Sequence, residues 1–162
     1  VVTNGPLLRP IVEGQLPGHV FQVDQGQTIE LQPALSLSLH EPVRYLEVIK
    51  NGRVAHSVPL DDYKEKGGRL PKMEFTKSGW FLIRVVSREQ TTYRFGMTGP
   101  YYVQVGYEKR ISRQSAKFFL DWVYERAGQI HLSDPEQHAQ VIEAHRAARD
   151  FWQDLVDRAN AE

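Results

Sequence analysis

Residues 78–105, SGWFLIRVVSREQTTYRFGMTGPYYVQV, constrain the chain more than any other stretch. Trp80, Leu82, Arg84 and Val86 alternate with Phe81, Ile83 and Val85. A run this dense in aromatic and β-branched residues reads as a strand of a packed sheet. A polar break at 87–90 precedes a second strand over 91–97, and Gly99-Pro100 separates it from a third over 101–105. Three strands in succession make the centre of a β domain, yet they hold no constellation that performs chemistry by itself.

The rest of the first hundred residues supplies partners for that centre. Short strands are expected at 7–12, where Pro10 favours a sheet edge, and at Val20, Phe21 and Val23. From Thr28, the positions Ile29, Leu31, Leu35, Leu37 and Leu39 alternate with polar residues, with a bulge or bend at Pro33. Residues 44–50 and 53–58 flank Asn51-Gly52, the strongest short hairpin signal, because both central residues of a type I′ turn need positive φ. The charged segment 61–69, with Gly67-Gly68, reads as an exposed loop, and a further strand spans 72–76. About seven to nine short strands with no helix between them predict an immunoglobulin-like antiparallel β-sandwich over residues 1–106.

After Gly106 the period changes. Ile111, Phe118, Phe119, Trp122 and Val123 recur at helical spacing, with Ser112 as the cap and Gly128 as the stop. A second helix begins at Ser133-Asp134-Pro135-Glu136, through either an Asp cap with proline in the first turn or a Ser-to-Glu capping box. Val141, Ile142, Ala148, Trp152, Leu155, Val156 and Ala159 form its apolar stripe to the chain end. Residues 107–162 are therefore expected to form a C-terminal two-helix hairpin packed on the sandwich.

Charge and residue chemistry narrow the function. Twenty Lys and Arg balance twenty Asp and Glu, which removes the long-range attraction that nucleic acid or an anionic membrane requires. No apolar run approaches the roughly 20 residues of a membrane span. The absence of cysteine removes disulfides, thiolate nucleophiles and cysteine metal sites, and fits any compartment, an exported or periplasmic one included. His138 and His145 stand about 10 Å apart along a helix, too far to share an ion without a third element. His19, His40, His56 and His131 lie on separate segments, so neither a metal nor a cofactor is expected. Ser78-Gly79 lacks the frame of a nucleophile elbow, and Gly5, Gly96 and Gly99 fit no phosphate loop. Asp61, Asp62 and Glu65 lack EF-hand spacing. The basic residues Lys109, Arg110, Arg113 and Lys117 read as a solvated helix face. The chain is not expected to be an enzyme on its own.

Two groups of segments carry a family likeness. Val2-Thr3-Asn4-Gly5-Pro6-Leu7-Leu8, followed by Val12-Glu13-Gly14 and Pro17-Gly18, resembles the pattern that follows the catalytic domain in PHP-type metallohydrolases of the CehA/McbA group. Leu46 to Val54, Ser78 to Arg84, Tyr93-Arg94-Phe95 and Thr98 to Val103 are similar to that group's later strands, in the same order. The resemblance covers residues 1 to about 105 and leaves out the helical tail. It implies a non-catalytic accessory domain of a larger metal-dependent hydrolase, buttressing the catalytic domain or walling its substrate entrance. The implied partner is a catalytic domain N-terminal to Val1, and the abrupt start at Val1-Val2 suits a segment cut from a longer protein. Thr3, Asn4, Arg94, Tyr101 and Tyr102 are the residues expected to face that junction, since they lie in the resembling motifs and aromatic tips suit interfaces. No catalytic or metal-binding residue carries over. The alternative is a stand-alone glycan- or protein-binding sandwich, which an exposed row of Trp80, Tyr93 and Tyr101 would favour. Oligomeric state does not follow from the sequence.

Overall fold

The computed structural model describes residues 1–88 and 92–162. It divides into two compact units, Val1–Lys109 and Arg110–Glu162.

The first unit is an immunoglobulin-like β-sandwich. Its larger sheet has seven strands: β1 (Val2–Thr3), β3 (Val20–Val23), β6 (Val43–Lys50), β7 (Arg53–Pro59), β9 (Gly79–Ser87), β10 (Phe95–Met97) and β11 (Tyr101–Val105). β9 is the spine. One of its edges pairs along its length with β6, which pairs onward with β7; the other pairs with β10 near Val86 and with β11 near Phe81. β1 extends the β10 end, and β3 runs parallel to β11, the one parallel pairing among the described strands. The opposing layer joins β2 (Leu7–Val12) to β5 (Pro33–Ser38), and β4 (Ile29–Leu31) to β8 (Met73–Phe75). Gln32 alone separates β4 from β5, so the Pro33 bend splits one strand path into two.

Alternation fills the space between the layers. Phe81, Ile83 and Val85 of β9, Leu46 and Val48 of β6, and Tyr101 and Val103 of β11 meet Leu8, Val12, Leu31, Leu35, Met73 and Phe75 from the opposing layer. The Phe75 and Phe81 rings, 5.8 Å apart, link the two layers. Each ring or branched side chain taken out of water contributes about 1.5–3 kcal/mol. Gly96 is required where β10 passes close to the start of β2, because a Cβ there would lie 2.8 Å from the Pro6 carbonyl oxygen. The Asn51-Gly52 hairpin forms with positive φ at both residues, 51° and 85°.

The structure corrects several expectations. Residues 61–69 are not simply a loop: α1 (Leu60–Glu65) occupies the crossover from β7 to β8. Tyr63 makes the difference, since its ring is buried and its hydroxyl donates to the Leu35 carbonyl at 2.6 Å. Such an anchor is invisible in a charged segment read for composition. The second central strand is shorter than 91–97, beginning at Phe95, with Asn4 bonded to the Tyr93 carbonyl and the Phe95 N–H beside its start; its expected first residue, Thr91, lies outside the described residues.

The second unit holds α2 (Arg113–Gln129) and α3 (Pro135–Asp157). Ser112 caps α2 by accepting from the Ser115 N–H, and Asp134 caps α3 by accepting from Glu136 and Gln137. The Asp cap prevails, leaving the Ser133-to-Glu136 box unused. Gly128 does not stop α2, which runs on through Gln129 to an extended Ile130; without positive φ at Gly128 there is no left-handed cap. The helices are antiparallel. Phe119 stacks on Trp152 at 4.6 Å, and the chain end is laced to the start of α2 through Ile111–Asn160 and Arg113–Ala161 backbone bonds.

Candidate functional site

The N-terminal corner of the sandwich is a densely hydrogen-bonded polar region. Thr3 Oγ1 donates to the Pro6 carbonyl at 2.6 Å and accepts from the Gly5 N–H at 3.0 Å, folding the Asn4-Gly5 turn back on itself. Asn4 then acts as a clamp. Its side-chain amide donates to the Tyr93 carbonyl at 2.9 Å, its side-chain oxygen accepts from the Phe95 N–H at 2.8 Å, and its own N–H donates to the Phe95 carbonyl. Side chain and backbone together extend the ladder beyond the short β1–β10 pairing. Arg94, between the two clamped residues, forms an ion pair with Glu41, which also accepts from Ser87 Oγ. Gly5, Pro6, Leu39, His40, Glu41 and Arg94 surround a cavity of about 70 Å³, room for about two waters. Tyr93, next to Arg94 in the chain, stands exposed, as do Val1 and Val2 at the far end of β1, where Val2 pairs with Met97.

Three of the five residues expected at a junction therefore meet in this corner, and two do not. Tyr101 is a correction: it is fully buried, stacks on Phe81 at 5.1 Å and donates its hydroxyl to the Gln15 carbonyl, so it offers no surface to a partner. Burial pushes its phenol up to about 12. Tyr102 is partly exposed on the outer face, opposite Trp80 and Val20. Both tyrosines pair at the Phe81 end of β9, about 16 Å from the Val86 end that holds β10. The row of Trp80, Tyr93 and Tyr101 does not form.

Sequence reasoning missed the ion pair on the outer face of the large sheet. Glu47 and Arg84 are direct cross-strand partners, with Arg84 Nε 2.6 Å from Glu47 Oε2. Around them lie Tyr45 and Ile49 on β6, Leu82 and Val86 on β9, and Met97 on β10, all half-buried or buried. Glu47 is only 7% exposed, so its carboxylate is largely desolvated while the Arg84 side chain stays one third exposed, at 33%. The signal was available: Glu47 and Arg84 share the parity of the outward residues on their strands.

Among the described residues, no three His, Asp or Glu side chains gather as a metal centre. His19 packs edge-on to Phe21, His40 lines the corner cavity, and His145 holds the Val141 carbonyl at 2.8 Å through Nδ1. The basic residues at the α2 start are engaged locally: Arg110 donates to the Glu162 carbonyl, and Lys117 pairs with Asp121 one turn on. No described helix is long and apolar enough to cross a membrane.

Comparison with known proteins leaves the family open. No family model matches the chain, and no curated protein matches it. Among solved structures, fibronectin(III)-like modules of Clostridium thermocellum CbhA align over 61% of this chain and 97% of theirs, at 14% identity and a TM-score of 0.38. The CARDB domain of PF1109 from Pyrococcus furiosus aligns over 64% of this chain and 98% of its own, at 16% identity and a TM-score of 0.31. A crystal structure of that domain with di-metal ions gives a TM-score of 0.27 at the same identity. The fold assignment rests on this chain's own strand order and core.

Proposed function

We propose that the sandwich is a non-catalytic docking module, that its N-terminal corner holds it against a neighbouring protein domain, and that this neighbour is the catalytic domain of a PHP-type metal-dependent hydrolase. The observation that carries the reading is the Asn4 clamp with its three hydrogen bonds to Tyr93 and Phe95. A tether bonded this way leaves the sheet in a fixed direction, so a domain attached to it keeps one orientation. The Arg94–Glu41 pair braces the same corner, and the exposed Tyr93 ring beside these polar groups suits a domain interface. The identity of the neighbour rests on the sequence resemblance of residues 1 to about 105. A glycan-binding face is the weaker reading, because burial of Tyr101 breaks the aromatic row it would need.

The test compares the full-length protein with this chain on phosphoester, ester and amide substrates with added Zn²⁺ or Mn²⁺. Turnover by the full-length protein alone is expected. Asn4→Ala and Arg94→Ala in the full-length protein are expected to lower its activity or melting temperature. Turnover by this chain alone, or unchanged kinetics and melting in both variants, would overturn the proposal.

A further inference from the structure

The helical hairpin presents an apolar groove along one face. Phe119, Trp122, Val123 and Ile130 from the α2 side and Ala144, Ala148 and Trp152 from α3 line an open volume of about 440 Å³, with Arg126 and His145 as its polar members. The Phe119–Trp152 stack is part of its floor. Large rings stand at or near the rim: Trp122 is 52% exposed, Phe118, in edge contact with Phe119, is 64%, and Phe151, in edge contact with Trp152, is 57%. α3 runs 23 residues without one fully buried side chain. A helix of that kind draws its stability from a partner surface, because propensity alone leaves helices marginal in water.

We infer that this groove is closed by the hairpin of a second copy, giving a four-helix bundle in which α2 of one copy lies over α3 of the other. Charge selects this pairing. α2 carries three cations (Arg113, Lys117, Arg126) against two anions, whereas α3 carries five anions (Glu136, Glu143, Asp150, Asp154, Asp157) against two cations. Laying α2 on α3 sets a net positive helix on a net negative one twice over. The opposite registration would bring two acidic α3 helices together. An isologous two-fold arrangement satisfies both contacts with one patch. The area also suffices: a face about 25 Å long and about 20 Å wide buries roughly 500 Å² per copy, or about 1,000 Å² in all, the lower limit of a specific interface. Alanines at 144 and 148 leave room for rings from the facing helices, the large-against-small alternation of bundle cores. This inference stands apart from the docking role of the corner, since it uses residues of the second unit alone.

Sedimentation equilibrium on the whole chain tests it. A reversible dimer with a Kd of about micromolar is expected, since weak and transient complexes occupy the low end of buried area. Trp122→Glu and Phe151→Glu, both at exposed positions, should each weaken the dimer at least about tenfold, the effect of replacing a ring by a charge in a closed, largely apolar face, while thermal unfolding of the sandwich stays unchanged. Raising the salt concentration should weaken association if α2 meets α3. A monomer at about 100 μM, or a dimer that both glutamate variants leave intact, would overturn the inference. So would a monomer whose groove takes up the apolar anion anilinonaphthalene sulfonate stoichiometrically, which would make the groove a small-molecule site instead. Association that strengthens with salt would overturn the α2-on-α3 pairing.

Discussion

The sandwich and the hairpin use similar apolar residues to opposite ends. In the sandwich, Phe75, Phe81 and Tyr101 are sealed between two layers, and among the described residues twenty side chains form one continuous buried core. In the hairpin only Ala116 and Leu120 of the two helices are fully buried, while Phe118, Trp122, Tyr124 and Phe151 stay mostly in water. Two layers enclose a volume; two helices leave a groove. The first unit is therefore built to hold its own fold, and the second to be completed by a surface outside itself.

Substitutions can break that contrast, beginning with the core. Phe81→Ala should destabilise the sandwich by about 3–5 kcal/mol, the loss of a buried ring plus its cavity, and chemical denaturation should show it as a lower midpoint. An alanine at Trp122 should leave that midpoint within about 0.5 kcal/mol of the parent, since an exposed ring removes little from the folded chain. Glu47→Ala comes next, at about 1–3 kcal/mol, because it strands the Arg84 guanidinium on a half-buried face; the Glu47→Ala/Arg84→Ala double variant should recover part of that loss in a double-mutant cycle. Tyr101 gives a smaller effect confined to alkaline pH. Its folded ionisation, near 12, lies above that of an unfolded tyrosine, near 10. Its stabilising share is intact below pH 10 and falls as pH rises from about 10 to about 12, by at most about 1.4 kcal/mol per unit. Tyr101→Phe should flatten that part of the stability profile. Smaller than the Tyr101 effect is Asp134→Ala, which removes the α3 cap at about 1 kcal/mol, read as lost helicity in circular dichroism with the sheet signal unchanged.

The same contrast explains how much could be read from the sequence. Strands with one buried face announce themselves by alternation, so β2, β6, β7, β9 and β11 fell close to their expected places, and Asn51-Gly52 marked its hairpin through turn chemistry that no tertiary contact needs to supply. The α2 and α3 helices were legible from their stripes and caps. What local pattern could not convey was contact at long range. Tyr63 turns a charged segment into a helix only because the Leu35 carbonyl waits 28 residues away. Asn4 replaces strand pairing beside Arg94 only because β1 arrives from 91 residues earlier. The structure brings Thr3, Asn4 and Arg94 to one corner, whereas Tyr101, whose phenol suggests an interface, is buried, as its strand parity with Val103 already indicates.

Hydrogen exchange at two protein concentrations tests most directly whether the sandwich is self-sufficient and the hairpin completed by association. The account predicts that β6 and β9 amides exchange slowly at a rate independent of concentration, while α2 and α3 amides exchange faster in dilute solution and gain protection as concentration rises. Helical amides as protected as those of β9, at both concentrations, would contradict it.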